Sequence, residues 1–102
     1  MRRFQVVEES MLPALRPGDV VLAVRDSDPP FGSIVVLPHP RKPDMWLIKR
    51  LTAQSDGELW VESDNPGATM ADSRTFGWVP ARSIYRALWR IRHGVLIQRI
   101  RS

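Results

Sequence analysis

Residues 45–51 read Met-Trp-Leu-Ile-Lys-Arg-Leu and predict a β-strand. Because side chains alternate between the two faces of a strand, Leu47, Lys49 and Leu51 share one face with Met45. The pattern therefore places one lysine among apolar side chains. Burial disfavours the charged form of an amine, so the pKa of such a lysine falls from about 10.4 toward neutrality. Two other outcomes are open, because the amine can extend past its apolar neighbours to solvent or pair with a carboxylate.

Short apolar segments separated by turn residues flank this strand along the chain. They predict further strands at 4–7, 20–24, 33–37, 58–62, 78–80, 84–92 and 95–100, with a hairpin turn at 54–57. Residues 84–92 also fit a helix. Prolines predict a surface loop over 38–44, because proline cannot donate to a β-ladder, and 63–77 also has a loop composition. Many short strands with frequent turns predict an all-β barrel or sandwich-like domain with little or no helix.

Length and composition limit the class of protein further. With 102 residues, 43% of them hydrophobic, the chain is expected to form a single domain over 1–102. The sequence has no cysteine and only two distant histidines, so no metal site and no cofactor is expected. No apolar run approaches the roughly 20 residues that span a bilayer. The sequence therefore predicts a soluble, cytoplasmic protein without a transmembrane segment.

The charges are distributed unevenly along the chain. All 11 acidic residues lie at or before Asp72, whereas the last thirty residues contain seven arginines and no acid. This basic end can be a set of solvated strand faces or a surface that attracts anions. With the aromatic residues at 78, 85 and 89 it could bind single-stranded nucleic acid, although no recognised nucleic-acid motif is present and no such partner is expected. With residues 95–100 it could touch a membrane surface peripherally.

Residues 10–19, Ser-Met-Leu-Pro-Ala-Leu-Arg-Pro-Gly-Asp, predict a constrained turn after the first strand. Two prolines fix φ there, and Gly18 can adopt the positive φ that a tight turn needs. A hydroxyl on so rigid a backbone can serve as a nucleophile, although Ser10 could equally cap the turn through its own backbone. A neutral lysine amine can accept the proton of a serine hydroxyl, so Ser10 and Lys49 form a candidate catalytic pair.

Three motifs resemble those of a known family when they are taken in order. They are S-M-x-P-x-L-x-x-G-D at 10–19, Lys49-Arg50 on an apolar strand, and D-N-P…D-S-R-x-x-G at 64–77. In this order they resemble the type I signal peptidases over about residues 5–90. The resemblance implies a serine/lysine endopeptidase on a small signal-peptidase-like or repressor-protease-like β-barrel. Ser10 would attack the scissile carbonyl while its N–H helps bind the oxyanion, and Lys49 would be the general base.

The same resemblance implies a set of residues that shape and support the site. These are Met11, Pro13, Gly18, Asp19, Arg50, Asp64, Asn65, Asp72, Ser73 and Arg74. Among them, an Arg50–Asp64 pair and an Asp72–Arg74 pair would hold the third motif against the catalytic strand.

Within this family the chain is most similar to the short, soluble proteases that mature nickel-type superoxide dismutase. It is expected to lack a membrane anchor, the region between Arg50 and Asp64 is brief, and Pro66 follows the Asp-Asn pair. Such an enzyme removes an N-terminal extension and frees the His and Cys that bind nickel in the dismutase, so the nickel belongs to the substrate. A general signal-peptidase-like or self-cleaving protease is the alternative. Self-cleaving repressor proteases carry a DNA-binding domain ahead of the catalytic one, for which the residues before Ser10 are expected to leave no room.

The chain departs from the signal-peptidase pattern at three positions around these motifs. Glu8 and Glu9 stand where signal peptidases often have a small residue and a glycine. Met70 stands where the family has a serine that can hydrogen-bond the catalytic lysine, and Thr69 is the candidate replacement.

Overall fold

Antiparallel β-strands dominate the structure, a computed structural model that describes residues 1–68 and 71–100. In these ranges the strands are β1 (Arg2–Gln5), β2 (Val20–Arg25), β3 (Ile34–His39), β4 (Lys42–Ser55), β5 (Glu58–Glu62), β6 (Val79–Pro80), β7 (Tyr85–Arg92) and β8 (Leu96–Arg99). The helical segments are a short α1 (Ser73–Phe76) and a 3₁₀ turn (Pro66–Ala68). The prediction of an all-β fold is confirmed.

One sheet contains all of these strands and leaves a gap between two of them. The order is β1-β2-β7-β3-β4-β5-β6, with β8 paired to β7. The long β4 pairs with β3 over its first part, whereas β5 pairs only with Arg50 and the residues after it. Among the residues that the structure describes, one edge of residues 45–49 of β4 therefore has no strand partner, and β1 pairs only with β2. The two free edges lie close together, as the distance of 5.1 Å between the ring centroids of Phe4 and Trp46 shows.

The prediction of a loop over 38–44 is wrong. β3 continues through His39 and β4 begins at Lys42, so only residues 40–41 form the turn. The prolines are tolerated because the pairing register shifts between Pro38 and His39, and irregular positions do not need every N–H of the ladder.

The first strand also differs from its prediction, since it covers Arg2–Gln5 rather than 4–7. Val6 leaves the β1–β2 pairing and bonds instead to the end of the following turn. Its N–H donates to the carbonyl of Asp19 at 2.8 Å, and its carbonyl accepts from Gly18 N–H at 2.7 Å. Within residues 84–92, whose pattern also fits a helix, Tyr85–Arg92 form the strand β7.

Two hydrophobic clusters form the core, and the candidate site lies where they meet. The first contains Phe4, Val6, Met11, Leu15, Val21, Ala23, Ile34, Val36 and Ala87. The second contains Val35, Leu37, Leu47, Leu51, Leu59, Val61, Val79 and Ile84. Met11, next to Ser10, belongs to the first cluster, whereas Leu47 and Leu51, on either side of Lys49, belong to the second.

Several arginines of the basic C-terminal region pair with carboxylates from elsewhere in the chain. Arg86 pairs with Asp26 at 2.8 Å, and Arg92 pairs with Asp19 at 2.8 Å. These contacts neutralise part of the positive charge and favour a structural role for those side chains. None of the helical segments within the described ranges has the length and apolarity to traverse a bilayer.

Candidate active site

The turn that carries Ser10 is anchored in the core by its own apolar residues. The carbonyl of Glu9 accepts from Leu12 N–H at 3.1 Å, and the carbonyl of Met11 accepts from Leu15 N–H at 2.9 Å. Met11 and Leu15 are fully buried, so the backbone on either side of their side chains has little freedom. Ser10 itself is 7% exposed.

Asp19 closes this turn through buried hydrogen bonds. Its carboxylate accepts from Arg16 N–H at 2.9 Å and from the Arg92 side chain at 3.0 and 2.8 Å. Burial alone would raise the pKa of Asp19, but the hydrogen bonds from Arg92 and Arg16 outweigh burial and hold the pKa below its ordinary value of 3.8. Gly18, next to it, has φ of 94°, the conformation expected for this position. The Asp19–Arg92 ion pair thus fixes the turn to β7.

Lys49 is buried in the middle of β4. Its side chain is on the apolar face with Leu47 and Leu51, and the residue is 2% exposed. Burial lowers the pKa of Lys49 from 10.5, and the negative charges of Asp72 and Glu8 offset only part of that effect. The amine is therefore easier to deprotonate than an ordinary lysine.

Within residues 1–68 and 71–100, this amine has a hydrogen-bond partner in Ser63, a residue that the sequence motifs did not single out. Lys49 Nζ donates to Ser63 Oγ at 3.1 Å. The signal was available in the pattern, because Leu59, Val61 and Ser63 alternate inward at and just beyond β5. The candidates from the resemblance, Thr69 and Met70, lie outside the described residues.

The D-S-R motif supports the end of β5 that carries Ser63. Asp72 accepts from Ser63 N–H at 3.1 Å and caps α1 by accepting from Arg74 N–H at 3.0 Å. Arg74 also forms an ion pair with Asp72 at 2.5 Å. Ser73 Oγ accepts from Val61 N–H at 2.8 Å. Asp72 therefore positions the serine partner of the lysine through its backbone and also acts on Lys49 through its charge, whereas Ser73 holds the neighbouring part of β5.

The D-N motif joins the strand of Lys49 to the turn of Ser10. Arg50 donates to both carboxylate oxygens of Asp64, at 3.1 and 2.7 Å, and to the carbonyl of Gly32 at 2.9 Å. The next residue, Asn65, donates its backbone N–H to the carbonyl of Ser10 at 2.8 Å and its side-chain amide to the carbonyl of Glu9 at 3.0 Å. This chain of contacts sets the position of the nucleophile's backbone relative to β4.

Ser10 and Lys49 line the same cleft, which has a volume of about 140 Å³. The cleft occupies the gap between residues 5–8 and residues 45–49, and its other lining residues are Gln5, Val6, Val7, Glu8, Met11, Met45, Trp46, Leu47 and Ile48. Of the predicted supporting residues only Met11 reaches the cleft, since Pro13, Gly18 and Asp19 belong to the turn behind it.

A protein-family model described as Peptidase S24-like matches residues 3–76. The chain belongs to this family. The match contains the Ser10 turn, the Lys49 strand and the D-S-R motif, and it makes the protein a peptidase of the signal-peptidase-like or self-cleaving kind. No curated protein matched the chain.

In this Peptidase S24-like chain, Ser63→Ala is expected to lower kcat about 10-fold, as the loss of one hydrogen bond of about 1–1.5 kcal/mol implies. Ser63 orients the amine without touching substrate, so KM should change little. Ser63→Thr keeps a hydroxyl and should restore most of the rate. Steady-state cleavage of one peptide by the three proteins measures this, and equal kcat values for all three would contradict the role of Ser63.

The pH dependence of kcat/KM should report the Lys49 amine. The sequence predicts that the neutral Lys49 amine is the base, so the rate should rise with pH and level off above the pKa of Lys49, with a midpoint below 10.5. Glu8→Gln removes a negative charge that raises this pKa, so the midpoint should move to lower pH. Glu9→Gln is the matched control and should leave the midpoint in place. If the midpoint is the same in Glu8→Gln as in wild type, the titrating group is not Lys49.

Proposed function

We propose that this chain is a serine/lysine endopeptidase that removes an N-terminal extension from a protein precursor. The observation that carries the proposal is a buried lysine amine of lowered pKa in the wall of the cleft that also contains Ser10. A solvated lysine would be protonated at neutral pH and could not accept a proton. A lysine amine that is buried among leucines loses its proton more easily and can then accept one. The family match supports the same chemistry.

The proposed reaction has two steps. Neutral Lys49 takes the proton of Ser10 as Oγ attacks the scissile carbonyl, and the resulting ammonium then protonates the departing amine. Water then cleaves the acyl-enzyme ester. Its proton passes to Lys49, which in turn protonates Ser10 Oγ as the ester bond breaks. Ser63 keeps the amine directed into the site through their hydrogen bond. The N–H of Ser10 is the proposed donor to the oxyanion, as the resemblance of the motifs implies.

The substrate is proposed to bind as an extended strand in the gap of the sheet. The cleft lies between residues 5–8 and the unpaired edge of residues 45–49, so a peptide inserted there can hydrogen-bond to strand edges. This placement carries the peptide past Ser10 and suits an unstructured precursor terminus. The candidate precursor is a nickel-type superoxide dismutase, as the resemblance of the motifs implies.

The decisive experiment incubates the dismutase precursor with wild type, Ser10→Ala and Ser27→Ala, and follows N-terminal processing by mass spectrometry. Ser27 is exposed and lies outside the cleft, so Ser27→Ala should cut like wild type. Ser10→Ala should be inactive. If Ser10→Ala cuts as fast as wild type, Ser10 is not the nucleophile. If wild type cuts other unstructured peptides but not this precursor, the peptidase assignment stands and the dismutase substrate does not.

Self-cleavage is the second candidate, and the family match favours it as well. Intact-mass measurement of protein aged at high pH tests it, because alkaline conditions increase the neutral fraction of Lys49. A nick that appears in wild type and not in Ser10→Ala would support self-cleavage.

A further inference from the structure

A second depression adjoins the catalytic cleft on the β1 side. This depression has a volume of about 290 Å³ and is lined by Arg2, Arg3, Phe4, Gln5, Trp46 and Ile48. Gln5, Trp46 and Ile48 line both cavities, so the two adjoin and form one groove that follows residues 2–8. A peptide that lies beside Ser10 and follows β1 therefore comes near Arg2 and Arg3.

Aromatic rings hold Arg2 in place at this end of the groove. Its guanidinium carbon lies 5.3 Å from the ring centroid of Phe4, 4.8 Å from that of Trp46 and 5.5 Å from that of Tyr85. Arg2 also donates to the Tyr85 hydroxyl at 3.3 Å. A stacked guanidinium keeps several N–H groups free in its plane, and these match the geometry of a carboxylate. The side chain is thus ordered before any ligand arrives.

The positive charge at this end has no carboxylate to balance it. Arg2, Arg3 and Arg25 take part in none of the four ion pairs found within residues 1–68 and 71–100. Arg25 lies 5.8 Å from the Tyr85 ring centroid, so two guanidinium groups approach one phenol. The hydrogen bond from Arg2 and the charges of Arg2 and Arg25 lower the pKa of Tyr85 despite burial. Asp44 precedes Met45 on β4 and forms no ion pair with these arginines within the same residues.

The other end of the groove has the opposite charge. Glu8 lines the cleft beside Ser10, and Glu9 is exposed next to it. A nucleic acid, which is negative along its whole length, would be attracted at the arginines and repelled at the catalytic end. A peptide with one acidic side chain at the arginine end is attracted there and is not repelled by Glu8 at the catalytic end. The charge arrangement therefore favours a peptide ligand.

We propose that Arg2 and Arg3 form an anion subsite of the peptidase, selecting substrates with an acidic side chain several residues from the scissile bond. The inference rests on the proposed endopeptidase function. A strand advances about 3.3 Å per residue, so the five residue steps from Arg3 to Glu8 correspond to at most roughly 16 Å of bound peptide. The acidic residue is accordingly expected about five to seven residues from the scissile bond, on the side of the peptide that occupies the groove.

The test uses fluorescein-labelled peptides of alanine, serine and threonine that carry one Glu or, in the matched peptide, one Gln. The charged position is placed near the N-terminus in one pair and near the C-terminus in the other. Binding is measured by anisotropy with Ser10→Ala, which keeps the groove and cannot cut. One of the two placements should bind about tenfold more tightly with Glu than with Gln, and raised salt should reduce this preference.

Arg2→Gln and Arg3→Gln, each introduced into the Ser10→Ala protein, should bring the Glu-to-Gln affinity ratio toward one. Arg82→Gln is the control, because Arg82 is exposed and lines neither cavity of the groove, and it should keep the preference. Equal affinity for all peptides, including no measurable binding, would overturn the subsite, as would tighter binding of a thymidine 12-mer. A Glu preference by Ser10→Ala together with no cleavage of any peptide by wild type would remove the peptidase function and leave the anion site.

Discussion

Lys49→Met is expected to lower the rate of peptide cleavage by a factor of about 10³ or more, the usual cost of removing a catalytic base. The same variant should be as stable as wild type or more stable. Methionine has a similar length and no charge, so it fills the space between Leu47 and Leu51 without the cost of burying an amine. Cleavage assays and chemical denaturation of one preparation measure both effects.

Lys42→Met is the matched control for this prediction. Lys42 is exposed on the first residue of β4, so its replacement should change neither cleavage nor the free energy of unfolding. A purely structural lysine would behave differently from the prediction, because activity and stability would then be lost together. Retained cleavage by Lys49→Met would rule out the lysine as the base.

Asp19→Ala should have the largest effect on stability, lowering the free energy of unfolding by about 3 kcal/mol, the cost of leaving one partner of a buried pair alone. Asp19 is 2% exposed and joins the Ser10 turn to Arg92 on β7, whose side chain is 12% exposed. The pKa of Asp19 is lowered in the folded protein, so its contribution is present above the unfolded pKa and is lost as pH falls through the folded value. Urea unfolding at several pH values measures this.

Asp26→Ala tests whether burial of the ion pair is the reason for the large loss of stability expected in Asp19→Ala. Asp26 pairs with Arg86 in the same sheet, but the two side chains are 23% and 31% exposed, so solvent screens the pair and the loss should stay below about 1 kcal/mol. Equal losses for the two variants would contradict the role assigned to burial at Asp19.

Sequence reasoning predicted the fold where local pattern decides it. Alternation over 45–51 predicted a strand with Leu47, Lys49 and Leu51 on one face, and these residues are buried on β4. The prediction of a loop over 38–44 is wrong, because the prolines indicate the end of a strand, whereas a register shift lets the ladder continue past Pro38. Pairing registers depend on the neighbouring strand, and composition does not contain that information.

The candidate site shows the same division. The motifs identified Ser10, Lys49 and the Arg50–Asp64 and Asp72–Arg74 pairs, since each belongs to a short segment of recognisable residue types. For Ser63 the alternation over 59–63 indicates only an inward side chain, because its role arises from contact with a lysine fourteen positions away. The lowered pKa of Lys49 likewise depends on the leucines, Asp72 and Glu8 that the fold brings around it.

The strand periodicity, the rigid turn at Ser10 and the lysine on an apolar face can be read from the sequence, because each follows from residues adjacent in the chain. The fold is needed to place β1 opposite residues 45–49 of β4 across a gap, and to give this gap acid at one end and arginine at the other. Both properties depend on which strand edges meet. Strand edges are brought together by long-range pairing and burial, which act between residues far apart in the chain.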